Sequence, residues 1–101
     1  MLAEFSIVPV GVGESVSIYV AECIKIVEES GLSYGLNPMG TVVEGEYEEV
    51  MAVISACHMR IAGMCDRVLT TIRIDDRKGV DDALRSKIES VEEKMGKRLK
   101  G

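Results

Sequence analysis

A chain of 101 residues is long enough for one domain with its own core, and a 47% hydrophobic content excludes an intrinsically disordered chain. A net charge of −5 without any basic stripe excludes the electrostatic footprint of a nucleic-acid binder. No apolar run approaches the roughly 18 residues of a membrane span. With no Trp, one Phe and three Tyr, the core is expected to be aliphatic.

The chain opens on Met1-Leu2-Ala3-Glu4-Phe5, which lacks a basic segment and carries an acid where a signal peptide is apolar, so a cytosolic protein is expected. Residues 2–8 read as a strand. Ala3, Phe5 and Ile7 point one way, and Leu2, Glu4, Ser6 and Val8 the other. Pro9 and Gly11-Val12-Gly13 are expected to break it, with Ser15 as N-cap of a helix. Val16, Val20, Cys23, Ile24 and Val27 form the stripe of that helix, and Gly31 supplies a left-handed stop.

A hairpin follows, with strands near residues 33–37 and 41–44. Its corner, Asn37-Pro38-Met39-Gly40, has type I turn chemistry: Asn first, Pro presetting φ, and Gly fourth. A second helix is expected from about residue 46 to 62. Val50, Ile54, Cys57, Ile61 and Met64 keep helical spacing, Glu46, Glu48 and Glu49 sit in the first turn, and Gly63 ends it. Residues 67–75 then alternate as a strand. A third helix is expected over about residues 80–97, with a narrow seam of Val80, Leu84, Ile88, Val91 and Met95.

The order β-α-β-β-α-β plus a C-terminal helix specifies an α+β fold, the ferredoxin-like sandwich, in a single domain spanning residues 1–101. Two helices cover one face of its antiparallel sheet, and the first and third strands are central. The other face is expected to carry Glu4, Ser6, Thr71 and Arg73 with aliphatic Leu2, Val8 and Leu69. Those apolar residues suit burial against another subunit, and strand edges invite pairing. Arg73 opposite Glu4 reads most simply as a cross-strand ion pair, with anion or ligand binding as the other use.

Tyr34, Asn37, Met39, Thr41 and Glu44 place a ring, an amide, a thioether, a hydroxyl and a carboxylate around one hairpin, with Ser6 on the first strand. Each has an ordinary structural use: turn, packing residue, solvated acid or backbone partner. Together they are either an exposed hairpin or the lip of a site. Cys23, Cys57 and Cys65 are odd in number with no CxxC spacing, so small buried hydrophobes are expected rather than a disulfide framework. Met51, His58 and Cys65 lie seven apart, which suggests a soft-metal face, but Gly63 interrupts the helix and no compact four-ligand spacing exists. With one His and no phosphate loop, dinucleotide fingerprint or nucleophile–His–acid arrangement, no enzyme is expected.

Phe5-Ser6-Ile7-Val8-Pro9-Val10-Gly11, then Ser30-Gly31-Leu32-Ser33-Tyr34, then Pro38-Met39-Gly40-Thr41 with Glu44-Gly45, and the strand from Arg67 to Asp75 recur here in a familiar order. The chain thereby resembles the small thiamine-binding proteins, and the likeness spans nearly its whole length. The resemblance implies a ferredoxin-like fold, homo-oligomers that are commonly tetramers, and binding of thiamine or its hydroxymethylpyrimidine moiety without catalysis. The ligand residues it suggests are Ser6, Tyr34, Asn37, Met39, Thr41 and Glu44, with Tyr34 as ring wall and Glu44 as acceptor or counter-charge. Cys57-His58-Met59 falls outside the family pattern, so the resemblance carries no metal role. A second reading is an oligomeric protein-interaction module with incidental ligand or soft-metal binding.

Overall fold

The computed structural model describes residues 1–13, 16–78 and 91. The elements are β1 (Leu2–Val10), α1 (Ser17–Glu29), β2 (Ser33–Asn37), β3 (Gly40–Glu44), α2 (Tyr47–Ala62) and β4 (Arg67–Asp75). They form one antiparallel sheet in the order β2-β3-β1-β4, with β3 and β1 central as the sequence predicts. This is the ferredoxin-like sandwich. The third helix of the sequence reading, like Ser15, lies outside the described residues apart from Val91.

Alternation along β1 sorts the sheet into two faces. Ala3 and Phe5 are buried with Val43 of β3 against Cys23 and Val27 of α1 and Val50, Val53, Ile54, Cys57 and Ile61 of α2. The core is aliphatic with a single ring. The helix ends follow their punctuation in part. Gly31 stands at φ 75°, the left-handed stop after α1, whereas Gly63 closes α2 at an ordinary φ of −78°. At the start of α1, Val16 occupies the cap position without a side-chain cap.

Pro9 does not end the first strand, as its ring suggested; β1 continues to Val10, paired with Arg67 of β4. The register gives the reason. β3 pairs with β1 only over Leu2 to Phe5, so the later half of β1 is bonded on one side alone. A strand that is locally an edge tolerates a residue without an N–H.

The expected Glu4–Arg73 pair is present, in register across β1 and β4, with Arg73 Nη1 3.8 Å from Glu4 Oε1. Both side chains are open to solvent, where such a pair contributes little. The two helices are joined by Glu22, which accepts from Lys25 Nζ at 3.3 Å and from Arg60 Nε of α2 at 3.2 Å. The Lys25 bond first, and the Arg60 bond next, hold the Glu22 carboxyl below the usual carboxylate range. A carboxyl lowered on folding adds stability above its ordinary value and loses it as pH falls through the lowered one. Glu22→Gln is therefore expected to shift the urea midpoint slightly at neutral pH, with the difference from the unaltered chain vanishing in acid. A difference that persisted in acid would assign the effect to something other than the charge.

Candidate functional site

The unequal lengths of β1 and β3 create a notch. β3 stops at Gly40 while β1 runs on, so one edge of β1 past Phe5 has no strand beside it among the described residues. The two-residue turn Pro38-Met39 overhangs this edge, and Gly40 seats the hairpin tightly. A Cβ at Gly40 would stand 3.0 Å from the backbone oxygen of Phe5. The first turns of α1 form the opposite wall. The result is a cleft of about 220 Å³ between the end of the sheet, the hairpin tip and α1.

Its walls are mainly apolar. Phe5, Ile7 and Pro9 come from β1, and Val16, Val20 and Ile24 from α1. Val16 and Val20 remain 41% and 51% exposed, so the leading half of the α1 stripe faces the cleft while Cys23 and Val27 carry the core. Helical spacing alone puts all five residues on one stripe. The signal that separates them is that Val16 and Val20 stand at the helix start, level with the Gly-rich segment where the sheet ends.

Ser6 of β1 and Asn37 and Thr41 of the hairpin are the polar residues lining the cleft, together with Met39, which is 88% exposed at the rim. Four of the six candidates from the sequence thus converge. Tyr34 and Glu44 do not line this cleft. Tyr34 pairs with Val43 on the helix face of edge strand β2, and Glu44 stands opposite Ser33 and Leu2 on the other face. Both sit at the end of the hairpin remote from its turn.

The open sheet face carries a shallower hollow of about 250 Å³ bounded by Leu2, Glu4, Val42, Arg73, Ile74 and Asp75. Val8 and Leu69 are register partners on this face and stay 48% and 52% exposed. Among the described residues no group of three His, Cys, Asp or Glu is placed to hold a metal ion. Among the suspected soft-metal residues, His58 and Cys65 have other partners. His58 Nδ1 lies 2.7 Å from Thr70 Oγ1, joining α2 to β4, and the Cys65 thiol donates to the carbonyl of Ile61 at 3.4 Å. Cys57 is fully buried between the helices. No helix among the described residues is long and apolar enough to cross a membrane.

Comparison with known proteins agrees with this architecture. The chain is 45% identical over 96 residues to a UPF0045 protein of Bacillus subtilis, covering 89% of this chain and 92% of that protein. It is 42% identical over 93 residues to a UPF0045 protein of Mycobacterium bovis, covering 91% of each. The crystal structure of a hypothetical protein from Methanocaldococcus jannaschii matches with a TM-score of 0.84 at 35% identity, over 91% of this chain and 95% of that one. A candidate thiamine biosynthesis/salvage protein from Thermotoga maritima shares the fold, with a TM-score of 0.78 at 21% identity over 89% and 96% of the two chains. The family model described as thiamine-binding protein matches residues 3–92. With that match and these relatives, the chain belongs to the thiamine-binding protein family.

Proposed function

We propose that this chain binds thiamine, through its hydroxymethylpyrimidine moiety, in the hairpin cleft, as a cytosolic homo-oligomer that carries, buffers or senses the molecule without transforming it. The observation that carries the reading is the cleft itself: a mainly apolar slot with Ser6, Asn37 and Thr41 among its lining residues, in a member of a thiamine-binding family. Drug-sized ligands occupy roughly 300–1,000 Å³. A cleft of about 220 Å³ therefore suits one ring rather than the whole vitamin. The aminopyrimidine supplies donors and acceptors for Ser6, Asn37 and Thr41, and its faces suit the Val16, Val20 and Phe5 walls.

No charged side chain lines the cleft among the described residues. In this reading the thiazolium stays at the open mouth beside Met39, in the field of an acidic chain, rather than meeting a buried counter-charge. Recognition then rests on Ser6, Asn37, Met39 and Thr41, with Tyr34 and Glu44 outside the walls.

Self-association, most simply as a tetramer, is part of the proposal. It is supported by the uncovered Val8–Leu69 pair and by the exposed length of edge strand β4. Leu69→Glu is expected to release smaller species in sedimentation velocity, because a buried unpaired carboxylate is costly. An unchanged sedimentation coefficient would remove this face from the interface.

Calorimetric titration tests the ligand, with thiamine, hydroxymethylpyrimidine and thiamine phosphate as titrants. The expected result is saturable binding of thiamine and of the pyrimidine fragment. Heat indistinguishable from dilution for all three would overturn the proposal and favour the interaction-module reading.

A further inference from the structure

Two of the three cysteines meet at the floor of the cleft. Cys23 of α1 lines it and keeps 8% of its surface, whereas Cys57 of α2 lies directly behind with none. The S–H of Cys57 donates to the backbone oxygen of Cys23 at 3.6 Å. Both thiols are free, and they belong to different helices packed on one sheet face. Two cysteines filling a core gap would account for the contact. Cys23 also lines the cleft.

We propose that Cys23 and Cys57 form a reversible redox pair, in which Cys23 meets a hydroperoxide through the cleft and Cys57 resolves the product as an intramolecular disulfide. The Cys23 sulfur attacks the peroxide O–O bond, giving a sulfenic acid and an alkoxide that takes up the released thiol proton. Cys57 then attacks that sulfur; an S–S bond forms, hydroxide leaves, and the Cys57 proton converts it to water. Two thiols and one hydroperoxide become one disulfide, one alcohol and one water, with two electrons passing from sulfur to oxygen.

The division of labour follows from position: Cys23 lines the cleft, whereas Cys57 is fully buried and takes no part in the lining. The neighbouring Cys57 thiol lowers the Cys23 thiol against burial and the Glu22 charge, in the same direction as that assignment. The cross-link would tie the α1 wall of the cleft to α2, whatever the cleft binds.

The test uses the full chain with hydrogen peroxide, followed by denaturation, iodoacetamide and non-reducing peptide mapping. The expected result is loss of two hydrogens from the intact mass, a peptide joining positions 23 and 57, and loss of alkylation at both. Cys65 should remain alkylated, and dithiothreitol should restore the other two. In Cys57→Ala, dimedone should trap a sulfenic acid at Cys23 that the unaltered chain does not accumulate. Unreacted Cys23, oxygen added at Cys65 alone, cross-links only between chains, or any product leaving Cys57 alkylatable would overturn the proposal. Mapping of the unaltered chain decides the matter even if Cys57→Ala does not fold.

Discussion

Valine at Gly40 is expected to lift the hairpin from β1 and to lower thiamine affinity at least about tenfold, equivalent to ~1.4 kcal/mol. The Cβ alone would stand 3.0 Å from the backbone oxygen of Phe5 and 3.6 Å from Glu4 Cγ. Phe5 cannot yield, because it is buried and held in register by Thr41 on one side and Ile72 on the other. The hairpin must move instead, carrying Asn37, Met39 and Thr41 away from Ser6 and the α1 wall. Overpacking of this kind costs about 1–3 kcal/mol of stability. Gly40→Ala should show the same effects in smaller measure. Urea unfolding and calorimetry on the two variants would measure both quantities, and undiminished affinity in a folded Gly40→Val chain would separate the hairpin from the site.

Ile54→Ala is expected to give the contrasting result, a loss of about 2–5 kcal/mol in stability with ligand affinity unchanged in the folded chain. Ile54 is 2% exposed at the centre of the cluster formed by α2, Val27 of α1 and Val43 of β3. It takes no part in lining the cleft. Removing its branches leaves a cavity that a close-packed core fills only in part. Against a total stability of about 5–15 kcal/mol, such a loss leaves a marginal domain. The urea midpoint measures it, and a shift equivalent to under ~1 kcal/mol would show that neighbouring side chains collapse into the space.

The fold was legible because each element carries its own period. Alternation in residues 67–75 and helical spacing from Val50 to Ile61 identified a strand and a helix without tertiary information. The hairpin corner was equally clear, since Asn, Pro and Gly each serve a distinct turn position. The candidate site was harder, because it depends on which strand stops first. Nothing in residues 2–10 alone says that β3 accompanies β1 only as far as Phe5, yet this shortfall creates the notch and admits Pro9. The exposure of Val16 and Val20 follows from the same event, since a helix stripe reports an apolar environment but not whether a sheet or a cleft supplies it.

The separation of Tyr34 and Glu44 from the cleft was, by contrast, present in the turn. A two-residue loop at Pro38-Met39 pairs Asn37 with Gly40, which puts Tyr34 across from Val43 and Glu44 across from Ser33. Counting that register places Tyr34 and Glu44 on opposite faces of the sheet, three or four residues from the turn. Closeness in sequence gathered the six candidates together; strand parity and strand length divided them.

A backbone amide NMR titration of the isotope-labelled chain with thiamine decides whether the ligand sits in the notch between the hairpin tip and α1. A ligand in the notch gives saturable shifts concentrated in residues 5–10, 16–24 and 37–41, with the β4 amides and the Glu44 end of the hairpin little changed. Shifts centred instead on Leu2, Glu4, Val42 and Arg73 would move the ligand to the open sheet face and contradict that placement.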